Sequence, residues 1–147
     1  MNLAGRRWVY LPVVEKERIL QPKQELCLIY VDPAKPEWSN VEEGYVVRAI
    51  FSGNSAKLAG RITLLGYGGQ YETLEGNAED LYNAGMDKPP GFFVAKYDTS
   101  TPLYVVKYAD YTYTPFKNML KFDIINSTNA PATLYYAYVT LILVLKK

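Results

Sequence analysis

Residues Ala132–Leu145 read ATLYYAYVTLILVL, without a charge or a proline. The odd positions are Thr133, Tyr135, Ala137, Val139, Leu141, Leu143 and Leu145. The even ones, after Ala132, are Leu134, Tyr136, Tyr138, Thr140, Ile142 and Val144. Threonine, tyrosine, valine and isoleucine at this density favour a strand over a helix. Both faces are apolar, so the strand is buried on both sides, beneath its own chain or against another subunit. At about 3.3 Å per residue it would run roughly 46 Å, long enough that a bulge or break is expected near Thr140. It is too short for a transmembrane helix, which needs about 20 apolar residues.

Upstream, Asn126–Pro131 (NSTNAP) is a turn. Phe116–Ile125 alternates an apolar face (Phe116, Leu120, Phe122, Ile124) with a charged one (Lys117, Lys121, Asp123), the pattern of a half-buried strand. Strands are also predicted at 25–31, 43–51, 91–97 and 103–109, with a short one at 70–74. Residues 56–65 are the expected hairpin partner of 43–51 across the turn cluster Ser52–Ser55. Residues 32–40 and 86–91 have loop chemistry, and Asp98–Pro102 is a turn. One short helix is predicted over 77–84, with Asn77 as N-cap, Glu79 and Asp80 in its first turn and Gly85 after its end. Pro12 lies inside the apolar stretch Arg6–Val14, which makes that stretch an edge strand or an extended arm. The fold class is therefore all-β, an antiparallel β-sandwich of jelly-roll-like or Ig-like kind. Residues 1–22 form an arm or edge strand, and residues 23–147 form one domain.

Composition narrows the chemistry. The chain has 147 residues, no histidine and a single cysteine, Cys27. Histidine-based triads, histidine zinc sites, four-cysteine metal sites and internal disulfides are excluded. A net charge of +1 argues against direct nucleic-acid binding. No secretory signal is visible at the start. Three glutamines point faintly to a hot habitat, and eight asparagines weaken that reading. Fourteen tyrosines suit strands and also suit interfaces.

The remaining candidate chemistry is sparse. Glu42-Glu43 are adjacent, so a strand would point them to opposite faces, which is poor placement for paired acid–base work. Asp32, Glu37, Glu42 and Glu43 lack calcium-loop spacing. Gly66-Tyr67-Gly68-Gly69 lacks a phosphate-loop pattern. Lys96-Tyr97 and Lys107-Tyr108 could touch phosphates and stack bases, though ordinary strand faces explain them as well. Asn126-Ser127-Thr128 fits a glycosylation acceptor, read here as a plain turn. Arg6-Arg7 is either a solvated terminus or a small basic handle. No catalytic residue, metal ligand or cofactor is assigned.

Four segments together set a recognisable layout. They are Gly44–Ile50, Ala78–Gly85, Tyr104–Tyr108 and Pro115–Asn126, completed by the last strand from Thr133. Over residues 44–145 this layout resembles the small β-sandwich structural proteins of viruses and phages, of capsid-decorating, minor capsid or head-fibre type. The resemblance is one of pattern and carries over no functional residues. It implies a non-enzymatic virion protein, made in the host cytoplasm, whose partners are copies of itself and other capsid proteins. Trp8, Tyr10, Tyr135, Tyr136, Tyr138, Leu141 and Leu143 are the expected core or interface residues. The alternative is a carbohydrate- or receptor-binding module that uses Trp38, Tyr45, Tyr67, Tyr71, Tyr111 and Tyr113. A small enzyme working with carboxylates alone ranks third.

Overall fold

The structure, a computed structural model, describes residues 3, 5–65 and 69–147. The larger antiparallel sheet contains β1 (Trp8–Glu15), β2 (Arg18–Leu20), β4 (Val41–Gly53), β7 (Gly91–Asp98), β8 (Leu103–Phe116) and β10 (Ala132–Leu145). Its order is β1-β10-β4-β8-β7, with β2 beside the start of β10. The smaller sheet is β3 (Glu25–Val31), β9 (Met119–Asn126), β5 (Leu58–Leu65) and β6 (Tyr71–Asn77), in the order β3-β9-β5-β6. A 3-10 turn spans Pro36–Trp38, and α1 spans Ala78–Asn83.

The antiparallel pairs nest: β5 with β6, β4 with β8, β3 with β9 and β1 with β10. Such nesting is one long hairpin with its tip at β5–β6. Rolling it up adds the pairs β10–β4 and β9–β5. The result is the jelly-roll arrangement, with β7 added outside β8. The core between the sheets includes Phe51, Val106 and Leu134 from one side and Ile62, Phe122 and Ile124 from the other.

β10 keeps the bounds read from the sequence and does not break. Its ladder to β4 shifts register between Thr140 and Leu141, where a bulge was expected. Pro12 is accommodated by ladder parity. The carbonyl of Arg7 accepts from the N–H of Leu145, so the odd residues of β1 hydrogen-bond to β10 and the even ones face away. The N–H that Pro12 lacks thus falls on the open edge. Residues 8–20 form this edge within their own sheet, and Leu20 is fully buried there.

α1 forms as its caps predict. The Asn77 side-chain oxygen accepts from the Asp80 N–H at 2.9 Å, and Gly85 takes a left-handed φ of 70°. Buried Ala78 and Leu81 seat the helix on the sandwich.

Two sequence expectations are corrected. Residues 56–65 are not a hairpin partner of β4; β5 pairs with β6 and β9 in the opposite sheet. The chain turns this corner because Asn54 is held by the last strand. Its N–H donates to the Thr133 carbonyl, and its side-chain oxygen accepts from the Thr133 N–H. A Cβ at Gly53 would collide with Leu58 and stand 2.8 Å from that carbonyl. Phe116 does not open the alternating strand either. It closes β8 opposite Gly44, and the chain then crosses sheets at Lys117-Asn118, whose N–H groups both donate to the Leu65 carbonyl.

Asn126 ties the β9–β10 turn to the end of β2. Its side-chain nitrogen donates to the carbonyls of Leu20, Gln21 and Ala130, and its oxygen accepts from the Thr128 N–H and hydroxyl. The side chain is fully buried, so in the fold the glycosylation pattern has no free amide to offer. Asn126→Ala removes these bonds from a buried site and should destabilise the fold by about 2–3 kcal/mol in urea unfolding. A loss near zero would show that the latch contributes nothing.

Candidate interaction face

The solvent side of the larger sheet follows from register. In one row Phe93, Lys107, Ile50, Tyr138 and Val14 stand side by side across β7, β8, β4, β10 and β1. The next row is Gly91, Ala109, Arg48, Thr140 and Pro12. Beyond it come Tyr10, Ile142, Tyr45 and Pro115, then Trp8, Val144 and Glu43. The face is apolar along β1 and, Thr140 apart, along β10, while β4 alternates Tyr45 and Ile50 with the charged Glu43 and Arg48. Ile142 and Val144 are buried although they point away from the core, flanked in register by Trp8, Tyr10 and Tyr45.

At the β1 end Trp8, Tyr10 and Val14 are 47%, 50% and 59% exposed. Toward β7 the small residues Gly91 and Ala109 leave a hollow of about 340 Å³, with Arg48, Ile50, Phe93, Lys107 and Tyr138 in its lining. Arg48 and Lys107 have no ion-pair partner among the described residues. Sequence reasoning named Lys107 only as a possible phosphate contact beside Tyr108 and missed Arg48, because only register across three strands puts the two cations around one hollow.

The seven expected core or interface residues separate by parity. Leu141 and Leu143 are buried in the core. Trp8, Tyr10, Tyr136 and Tyr138 lie on the outer face. Tyr135 sits at the register shift between Leu134 and Tyr136, and its hydroxyl donates to the Pro102 carbonyl.

The residues of the binding alternative are dispersed. Trp38 packs against the core, and Tyr45 is on the outer face. Tyr71 is exposed at the start of β6. Tyr111 and Tyr113 lie in the excursion of residues 110–113, where β8 runs past the β4 bulge, and the Tyr111 hydroxyl donates to the Pro89 carbonyl. None of them takes part in the ring contacts among the described residues. Tyr67 lies outside the described residues.

Other candidates are absorbed by structure. Arg6 pairs with Glu42 at 2.6 Å and Glu43 at 3.6 Å, and Arg7 donates to the Lys146 carbonyl. The two arginines thus tie their segment to their own chain, and the adjacent acids share one cation. Asp32 accepts from the Ala34 N–H in a local turn. Among the described residues no cluster of three or more metal-binding side chains occurs. Tyr97 stacks on Tyr82 at 4.1 Å, and Tyr108 packs edge-on to Phe92. Neither ring is free to stack on a base.

On the outer side of the smaller sheet, Asp123 is 2% exposed. Lys121 lies 3.6 Å from its carboxylate, the Cys27 thiol hydrogen-bonds to it, and Glu25 and Arg61 stand nearby. Burial raises the Asp123 carboxyl above its ordinary range, and Lys121 offsets part of that rise. Burial and the Asp123 charge also raise the exposed Cys27 thiol, which favours the unreactive protonated form.

Two outcomes test these environments. The folded chain holds the Asp123 proton more tightly than the unfolded chain. The contribution of this group to stability therefore falls as pH rises from the ordinary carboxylate value, about 4, through the raised folded one. The stability of Asp123→Asn minus that of wild type should accordingly increase with pH over this range in denaturant titrations; a flat difference refutes the assignment. Thr140 is fully buried under the outer face, and its hydroxyl meets no partner. Thr140→Val should raise stability by about 1 kcal/mol, and a loss would mean that the hydroxyl is bonded. Among known proteins, no family model matches this chain and no curated protein matches its sequence.

Proposed function

We propose that this chain is a non-enzymatic virion structural protein, which assembles into or onto a capsid through the outer face of its larger sheet. The observation that carries the assembly reading is the apolar outer side of β1 and β10, with Trp8, Tyr10 and Val14 about half exposed at its end. A contiguous apolar patch of this kind usually marks a partner surface. Two things support the virion part: the layout over residues 44–145, and the jelly-roll topology, which capsid and lectin domains share.

One observation favours a second reading, a receptor- or glycan-binding module. The hollow over Ala109 combines the rings of Phe93 and Tyr138 with the cations Arg48 and Lys107, which have no ion-pair partner among the described residues. That combination suits a sugar bearing a carboxylate or sulfate better than a neutral one. Among the described residues, no helix is long and apolar enough to cross a membrane.

Light scattering behind size exclusion tests the first reading. The purified chain should run as a discrete multimer or a large particle, and Tyr10→Glu should reduce its mass without unfolding it. A clean wild-type monomer overturns self-assembly. Binding to acidic glycans that is lost in Arg48→Ala would then move the assignment to the second reading.

A further inference from the structure

The sandwich has four long edge strands, and three of them are blunted. β3 shifts register between Cys27 and Ile29, and β7 between Val94 and Lys96. β6 carries Glu72 and Glu75. Bulges and charges are common devices against edge pairing. β1 differs from these edges. It is uncharged from Trp8 to Val14, and its register to β10 is unbroken over all eight residues. Its even residues turn their backbone groups outward, so Trp8, Tyr10 and Val14 present free N–H groups and Pro12 presents only its carbonyl.

Resting on the assembly reading, we propose that β1 pairs antiparallel with β1 of a second copy about a two-fold axis at Leu11. The register that overlaps the whole strand sets Trp8 against Val14, Val9 against Val13, Tyr10 against Pro12 and Arg7 against Glu15. Each Trp8–Val14 pair exchanges two backbone hydrogen bonds, and each Tyr10–Pro12 pair makes one. The missing donor of Pro12 therefore costs one bond per strand. Every exposed apolar side chain of β1 meets an apolar one: Trp8 covers Val14, Tyr10 lies on Pro12, and Val9 reaches Val13. Charge is complementary at both ends. Among the described residues Arg7 has no carboxylate partner, and Glu15 is partly exposed and pairs with Arg18 at 3.2 Å. Their positions do not form backbone bonds in this register, so their side chains come close. The larger sheets of the two copies become one continuous sheet with the apolar faces side by side. The contact is self-complementary, as a two-fold interface requires.

Disulfide trapping on the full chain, in a Cys27→Ser background, reads the register directly. Leu11→Cys should cross-link to a dimer under mild oxidation, since facing Cα atoms there lie about 4.5 Å apart. Val9→Cys alone should not, because its symmetry mate is displaced by four residues, about 13 Å. Equal trapping at both positions overturns the register. Leu11 is packed, so sedimentation equilibrium on exposed positions provides an independent measure. Arg7→Glu should weaken the dimer about tenfold, and adding Glu15→Arg should restore it. A wild-type multimer whose affinity ignores both changes overturns β1 pairing while leaving the assembly reading intact. A wild-type monomer removes both.

Discussion

The β4–β10 ladder is the contact on which the rest of the sandwich depends. It joins residues 41–53 to residues 132–145, so its formation closes most of the chain into a loop and carries the loop-closure cost of a non-local contact. What repays that cost is burial. β10 is hydrogen-bonded along both edges, and its second half is buried on both faces. Few positions in it tolerate a polar atom, and the unpartnered hydroxyl of Thr140 sits where the register with β4 shifts. The corner after β4 reads as a consequence of this ladder. Asn54 turns into the smaller sheet because Thr133, at the start of β10, holds it.

Local chemistry was legible from the sequence, and partner identity was not. The bounds of β10, the cap of α1, the Asp98 turn and the edge position of Pro12 all follow from short-range rules. A two-residue period says which side chains share a face, but not which sheet the strand joins. For that reason residues 56–65 were expected beside β4, and Phe116 was placed in the wrong strand. The Asp98 carboxylate shows how far local reading goes. It accepts from Ser100 and from Thr101, and the Thr101 hydroxyl above all holds it below its usual range.

The candidate face was half visible for the same reason. Both parities of β10 are apolar, so the sequence could not separate Leu141 and Leu143, which look inward, from Tyr136 and Tyr138, which look outward. The hollow over Ala109 was invisible, because it exists only where small residues on β7 and β8 come into one row with Arg48 of β4. The loop aromatics suggested a platform in the sequence. Two of them are instead used where their own segments meet the sandwich, Trp38 against the core and Tyr111 on the Pro89 carbonyl.

The tyrosine excess acquires a physical reason once its members are sorted. Where α1 meets β7 and β8, Tyr82 stacks on Tyr97 and Tyr104 meets Tyr97 edge-on, and Tyr108 packs on Phe92 while bonding Thr114. These rings close the open side of the sandwich, and a phenol suits that place because its hydroxyl can find a partner at the rim. Burial raises the Tyr97 and Tyr108 hydroxyls, which keeps them protonated and able to donate. Tyr10, Tyr45, Tyr136 and Tyr138 do different work on the outer face. Phenylalanine there would leave a patch with no bond to water, whereas tyrosine covers aliphatic neighbours such as Ile142 and keeps a polar tip in solvent. A face built this way can wait in water and still lose little when a partner covers it, since the tips can bond across the contact. Composition, register and the exposed β1 edge thus describe one surface, apolar enough to suit the proposed contact and polar enough to remain exposed in water.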